Sequence, residues 1–455
     1  MKTVDVGHEI DEGRWTGYQK LLVFGTALAI ILDGVDNQLL PNTIPTLIKE
    51  WGQPRAAFTN AQSSGPWGMM IGGLIGGAIG DRFGRRPALL LSVVTFALVT
   101  IAISFVNSLE ALLVLRFLAG VGLGGAMPNA ATLASEYVPR RQRPSAVTMT
   151  IVCIPLGGFV AAELAARVIP AFGWRSLFLI GGIIPLVLAV VLWMVLPESP
   201  RFLARRKERW PELTRVMRRI GHNVPDDVQY MDAAADAARG VRKGSMGELF
   251  APVYLRDTLA LCASFFFCLM VNYVAIQWVP AMLAGGGFTQ PAANRGLTMV
   301  NIGGVLGALA GGFIIQRLGS RLTMLSMSAV AVVCSLAMAG MKLDPTDAGA
   351  LMAMFLITGG LLNAVQTTMY ALAAHVFPTE IRSTGVGTAV AVGRVGNAMA
   401  AYVGSYALDR GGSAGYFTSW AILMALVFVA LALVMRHVPR TSSVQGAAVA
   451  APASH

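Results

Sequence analysis

Residues 72–86 read Gly72-Gly73-Leu74-Ile75-Gly76-Gly77-Ala78-Ile79-Gly80-Asp81-Arg82-Phe83-Gly84-Arg85-Arg86. The arrangement returns further on, where Gly303, Gly304, Gly307, Gly311 and Gly312 lead into Gln316-Arg317-Leu318-Gly319-Ser320-Arg321. Arg317 follows Arg82 by 235 positions. In both copies small residues stud an apolar run that ends in a short, arginine-bearing turn. Glycines at such spacing suit close helix packing in lipid. Their duplication implies two similar halves, the construction by which transporters place a substrate site between moving parts.

Composition agrees. The 455 residues are 55% hydrophobic and only 13% charged, with a mean hydropathy of +0.62. A soluble chain carries about 25% charged residues, so the deficit points to lipid as solvent. The net charge of +11 sits in short clusters between apolar runs and forms no continuous stripe, which argues against nucleic-acid binding. Cys153, Cys262, Cys268 and Cys334 lie inside apolar segments without metal-site spacing and read as small buried hydrophobes.

A spanning helix needs about 20 mostly apolar residues. Twelve stretches qualify, near 20–47, 60–80, 87–107, 110–136, 145–170, 174–197, 256–284, 295–316, 322–341, 347–376, 383–408 and 414–436. They are called spans 1 to 12 below. A cytoplasmic segment 1–19 precedes them. A basic linker, 198–255, separates two six-helix bundles, 20–197 and 256–436, and its Ala-rich part around 231–239 is expected to form a short surface helix. The tail 437–455 reads as disordered. Arginines follow spans 2, 4, 6, 8 and 12, whereas the opposite loops hold few. The positive-inside rule therefore puts both termini and the linker in the cytoplasm. A second echo supports the duplication: Tyr137-Val138-Pro139 with Arg143 recurs as Val376-Phe377-Pro378 with Arg382. The expected fold is all-α and integral to the membrane, twelve transmembrane helices as two pseudo-symmetric bundles.

The turn from Gly80 to Arg86 resembles the loop signature between spans 2 and 3 of the major facilitator superfamily, and Arg116-Phe117-Leu118-Ala119-Gly120-Val121-Gly122 resembles its span-4 motif. Pro197-Glu198-Ser199-Pro200-Arg201 resembles the end of span 6 in its sugar and organic-acid branches. Asp33-Gly34-Val35-Asp36, Gln277-Trp278-Val279-Pro280 and the span-11 run from Arg382 to Gly396 are similar to the aromatic acid:proton symporters. The resemblance implies import of a small aromatic carboxylate with a proton, through a bacterial inner membrane, in the service of aromatic catabolism. It implies no cofactor beyond the proton gradient, no metal, and a functional monomer. Gln316 in place of a second aspartate, and the partial antiporter-like Pro155-Leu156-Gly157-Gly158, are departures that leave exchange open.

Charges inside a membrane are costly, roughly 2.5–3.5 kcal/mol each at mid-bilayer, so each implies a partner, a wet cavity or a function. Asp33 and Asp36 share one face of span 1. Two close carboxylates away from bulk water cannot both stay ionised cheaply, so the pair is expected to take up and release a proton, and either member can lead. The alternative is a carboxylate that merely ties helices together. Arg394 in span 11 offers a planar fork for a substrate carboxylate, or a structural tie. Arg116 can complement Asp33 or Asp36, or help bind the anion. Glu163 and Arg167, four apart, read as a local ion pair, with Glu163 also a possible second carboxyl in the proton path. Asn363, Gln366 and Tyr370 on span 10, with Asn272, Gln277 and Trp278 on span 7, are candidate substrate contacts. Interhelical hydrogen bonds account equally well for any one of them.

At the cytoplasmic rim Asp81, Arg82, Arg86 and Glu136 are expected to form a gate clasp, with Asp81 reaching the N-terminal amides of span 11. Arg317, Arg321, Glu380 and Arg382 form the matching tie. The stripes Gly72, Gly76, Gly80 and Gly303, Gly307, Gly311 are expected to meet helices of the opposite half. A porter for another organic acid, or for a sugar, is the nearest rival reading. An integral-membrane enzyme would need a nucleophilic or metal constellation that the five histidines do not provide.

Overall fold

The structure, a computed structural model, describes residues 2–222, 224–225, 228–233, 246–378 and 381–438. Its elements are β1 (Lys2–Asp5), α1 (Val6–Glu12), α2 (Gly17–Trp51), α3 (Thr59–Phe83), α4 (Arg85–Ile103), α5 (Leu109–Tyr137), α6 (Arg143–Val195), α7 (Pro200–Ala204), α8 (Trp210–Arg219), β2 (Val228–Met231), α9 (Pro252–Gly285), α10 (Gln290–Leu318), α11 (Ser320–Ala339), α12 (Gly349–Val376) and α13 (Arg382–Leu433). Gly173 (φ 78°) turns the chain inside α6, and Gly412 (φ 56°) does so inside α13, so each of these carries two spans. Ten long helices thereby supply the twelve spans. Nine of them, among the described residues, are long and apolar enough to cross a membrane. The tenth is α3, whose first turns carry Asn60, Gln62, Ser63 and Ser64.

The duplication is written into the backbone. Gly84 (φ 115°) and Gly319 (φ 76°) separate α3 from α4 and α10 from α11 at matching places in the two arginine turns. Gly173 and Gly412 match in the same way. Left-handed backbone is cheap only for glycine, and at Gly84 a Cβ would also stand 2.0 Å from Glu198 Oε2.

Contacts divide the chain into two compact units, one of Met1–Asn37, Trp67–Gly157 and Arg175–Arg242, the other of Gln38–Pro66, Gly158–Trp174 and Lys243–His455. This partition follows a different line from the two sequence halves, because α2 and α6 each contribute to both units.

The glycine stripes correct an expectation. A Cβ on Gly72 would stand 2.0 Å from Val121 O, and one on Gly76 2.4 Å from Gly125 Cα, so α3 lies against α5 of its own half. In the second copy, Gly303 faces Leu356 O and Gly307 faces Gly360 O, each with a prospective Cβ at 1.9 Å, so α10 lies against α12. The stripes bind neighbours within a half, where backbone contact adds dispersion without requiring motion. Gly307→Leu should therefore remove the folded protein from the monodisperse peak of detergent gel filtration. Gly312→Ala, which meets open space, should not.

The first residues join the fold instead of simply leading into span 1. β1 pairs in parallel with β2, from Lys2 opposite Val228 to Asp5 opposite Met231. Asp5 caps α1 by accepting from the amides of Gly7 (3.0 Å) and His8 (3.3 Å). Val6 and Ile10 are buried in one core with Tyr137, Leu203, Leu213 and Met217. A four-residue strand and a two-turn helix are too short to announce themselves by periodicity. Residues 234–245 and 439–455 lie outside the described residues. Most of the Ala-rich stretch and nearly all of the tail fall there.

Candidate functional site

In the first unit α2 and α6 cross at two glycines. A Cβ on Gly34 would lie 2.5 Å from Ile154 O, and one on Gly157 2.1 Å from Ile31 O. The glycine between the two aspartates, and the first glycine of Pro155-Leu156-Gly157-Gly158, thus serve a backbone crossing that fixes the rotation of α2. Asp33 and Asp36 are both buried there, Asp36 completely.

Asp36 is the centre of a three-helix polar cluster. Arg116 on α5, 4% exposed, donates from Nη1 to Asp36 Oδ2 and to the Asp36 carbonyl, both at 3.3 Å. Thr100 on α4 donates its hydroxyl to Asp36 Oδ1. Arg116 Nε is buried and has no hydrogen-bond partner among the described residues. A buried ion pair that leaves one donor unused can accept a further anion or water. Thr100 carries no signal in the sequence, being one hydroxyl in an apolar run.

The second unit holds the other candidates. Tyr370 on α12 sets its ring edge-on to Phe265 of α9, centroids 5.3 Å apart. It shares a hydrogen bond with Gln366 and lies within electrostatic reach of Arg394 on α13. Arg394 is half-buried between Gly393 and Gly396, where α13 approaches α9 closely; a Cβ on Gly396 would stand 2.2 Å from Phe266 O. Three sequence candidates, Tyr370, Gln366 and Arg394, therefore come together. The side chains of three others are engaged with backbone, and the fourth, Gln277, is held through its own carbonyl. Trp278 is fully buried and donates to Ala401 O at 2.9 Å. Asn272 donates to Cys268 O (2.9 Å) and Asn363 to Gly359 O (3.1 Å). The Gln277 carbonyl accepts from Gln62 (2.7 Å), while its buried Oε1 has no hydrogen-bond partner among the described residues.

The rim residues of the first half gather around Glu198. Its Oε1 accepts from the amides of Arg85 (3.0 Å), Arg86 (3.2 Å) and Ser199 (2.8 Å). Burial pushes this carboxyl above the usual range, and the three amide bonds hold it back in part. Glu136 bonds Ser199, and Tyr137 donates to the Glu198 carbonyl at 2.7 Å. Asp81, with 72% of its side chain exposed, pairs with Arg85 one turn on. The Arg82 carbonyl accepts from Arg206, and Arg86 donates to Trp193 O. Asp11 of α1 pairs with both Arg143 and Arg201. In the second half Ser320 takes the place of Arg85 and His437 that of Glu198, with Ser320 Oγ 3.1 Å from His437 Nδ1. Burial, with Arg321 nearby, holds that imidazole below its usual value. Arg317 covers the Phe313 ring, and Arg382 donates to Phe377 O at 3.3 Å. Glu380 lies outside the described residues.

A cluster that sequence reasoning missed lies just past Asp36. Gln38 and Asn301, both buried, exchange two amide hydrogen bonds of 3.0 and 2.8 Å. Gly158 sits against them, since its Cβ would be 2.1 Å from Gln38 Nε2 and 2.4 Å from Asn301 Oδ1. Further along, Gln290 donates to Asn42 O (2.8 Å), Ser63 to Ala398 O (2.7 Å) and Thr298 to Glu163 Oε1 (3.1 Å). Arg55 pairs with Asp409, and Glu163 also pairs with Arg167 at 3.2 Å. Parts of spans 1, 2 and 5 are thus joined by polar bonds to spans 7, 8 and 11 within the second unit. Gln38 and Asn301 are 263 residues apart, a pairing no local pattern displays.

Known proteins resemble this chain along most of its length. The Major Facilitator Superfamily profile matches residues 26–363 and 297–454. The gallate transporter of Pseudomonas putida is 32% identical over 90% of either chain. The 4-hydroxybenzoate transporter of Acinetobacter baylyi is 31% identical over 93% of this chain and 92% of that one. Among solved structures, the xylose transporter XylE of E. coli in a partially occluded inward-open conformation aligns with a TM-score of 0.70 at 17% identity, covering 91% of this chain and 97% of that one. A bacterial homologue of Spinster aligns at 0.68 and 16% identity, covering 93% and 97%. Those two show the fold alone. Twelve spans, the paired arginine turns and these relatives place the chain: it is a multi-pass membrane transporter, not an enzyme, and it belongs to the major facilitator superfamily, among its aromatic acid transporters.

Proposed function

We propose that the protein imports a small aromatic carboxylate together with a proton by alternating access, across a bacterial inner membrane with both termini in the cytoplasm. The observation that carries this reading is the buried ion pair at Asp36, which Arg116 meets at 3.3 Å, with Asp33 a second buried carboxyl three residues earlier on the same helix. Changing the charge of such a buried group away from water is costly. A proton bound there therefore stays until the site meets water, as coupling requires.

Arg394 is the anchor for the substrate carboxylate, with Tyr370, Phe265 and Gln366 forming an aromatic wall and a hydrogen-bonding edge. The relatives named for gallate and 4-hydroxybenzoate support this substrate class. The Gln38–Asn301 amide pair and the Arg55–Asp409 ion pair serve as the clasp that closes the outer seam, and the network around Glu198 serves the cytoplasmic gate. One carboxylate moving with one proton transfers no net charge. Each additional proton would draw on ~2.3 kcal/mol per 100 mV of membrane potential.

The test is uptake into proteoliposomes of radiolabelled benzoate, hydroxybenzoates, dihydroxybenzoates, phenylpropanoates, an aliphatic acid and xylose. An inward proton gradient should drive accumulation of one or more of the aromatic acids and of neither the aliphatic acid nor the sugar. Accumulation of xylose alone would overturn the reading. Arg394→Lys should weaken binding of the preferred acid at least tenfold while leaving its methyl ester little changed, because a lysine cannot supply the fork. Equal losses for acid and ester would make Arg394 a structural tie.

A further inference from the structure

Where span 6 ends, a cavity of about 170 Å³ is lined by Arg86, Arg215, Arg219, Met194, Val195 and Glu212, among others. The volume equals several waters at about 30 Å³ each, enough for a phosphate group. The three guanidinium groups come from two elements: Arg86 from the start of α4, and Arg215 and Arg219 from α8. The sole carboxylate in the lining, Glu212, is bonded to Arg209 at 2.8 and 2.9 Å. None of the three arginines has a carboxylate partner among the described residues. Among the described residues, Arg86 donates from Nη2 to Trp193 O while its buried Nε has no hydrogen-bond partner, Arg215 has only a 3.4 Å bond from Nε to Pro211 O, and Arg219 has none.

The rim of the cavity has a second chemistry. Trp193 is 64% exposed and Met194 74%, at the last turn of a helix apolar enough to cross a membrane. Such side chains stand exposed because acyl chains cover them. α8 is amphipathic. It buries Leu213, Val216 and Met217 in the core that also holds Leu192 and Leu196, and so it fixes Arg215 and Arg219 beside that lipid-facing turn. Convergent cations next to an acyl-chain wall match a ligand with a phosphate at one end and hydrocarbon at the other.

We infer that this cavity is a binding site for the headgroup of an anionic phospholipid. The phosphate sits among Arg86, Arg215 and Arg219, and the acyl chains descend along Trp193 and Met194. Bound there, the lipid ties the linker helix α8 to the start of span 3.

The experiment uses the full-length protein in detergent and measures binding of tail-labelled phosphatidylglycerol by thermophoresis. Phosphatidylcholine and inorganic phosphate serve as competitors. Each arginine near an anionic headgroup contributes roughly fivefold in affinity. Arg215→Gln with Arg219→Gln should therefore weaken phosphatidylglycerol binding about thirtyfold. Arg205→Gln with Lys207→Gln removes the same charge from exposed positions outside the cavity and should leave binding within about twofold. Phosphatidylcholine and millimolar phosphate should compete poorly. Equal losses in both double variants would reduce the effect to diffuse attraction, and full affinity in the Arg215/Arg219 variant would remove the site altogether. Complete displacement by inorganic phosphate would assign the cavity to a free anion and overturn the lipid.

Discussion

Asp36→Asn should lower accumulation of the aromatic acid under an inward proton gradient by at least a hundredfold. Asparagine keeps the shape and can still meet the Thr100 hydroxyl, but it removes the negative charge that faces Arg116 at 3.3 Å. Breaking a buried ion pair on one side leaves an uncompensated charge that costs about 3–5 kcal/mol. At about 1.4 kcal/mol per factor of ten, that is a hundredfold effect or more. Part of the loss could fall on folding instead of coupling, so a second variant separates them. Asp36→Asn combined with Arg116→Met restores electrical balance and should restore thermal stability. It should still fail to accumulate acid under a proton gradient. Wild-type accumulation by either variant would exclude Asp36 from the coupling site.

Gly158→Val should shift the protein away from the state seen here by about thirtyfold. The added side chain lands on the ends of Gln38 and Asn301, both able to swing aside, so the fold survives while the two amide bonds between them do not. Each such bond contributes about 1 kcal/mol net, giving roughly 2 kcal/mol for the pair. The readout is access to a cysteine placed at Asn42, just beyond the clasp, in a background with the four native cysteines replaced. A membrane-impermeant maleimide applied outside should label it at least tenfold faster when Gly158 is valine, with net uptake reduced. Unchanged labelling with normal uptake would show that the amide pair packs helices and does not gate.

Much of this architecture can be read in one dimension because lipid constrains sequence strongly. A spanning helix must satisfy its own backbone bonds and present about 20 apolar residues, so length and hydropathy reveal each span. The duplicated turn at Gly84 and Gly319 is visible because a left-handed backbone position between two helices tolerates little but glycine. Ionisable residues inside such spans stand out by their cost, which is why Asp33, Asp36, Arg116 and Arg394 can be singled out at once.

Partnership is another matter. That Arg116 meets Asp36, and that Thr100 completes the cluster, depends on the rotation of three helices set by the Gly34–Gly157 crossing. That the glycine stripes face their own half depends on which neighbour each helix finds. Short elements such as β1 and α1 escaped because they are stabilised by the core they enter and hardly at all by their own periodicity. Reading the chain alone thus establishes twelve spans, the duplication and the set of intramembrane charges, since each is a property of a single segment in lipid. The pairing of those charges, the Gln38–Asn301 clasp and the docking of the first residues on the linker arise from contacts between segments up to 263 residues apart, which only the folded chain brings within bonding distance.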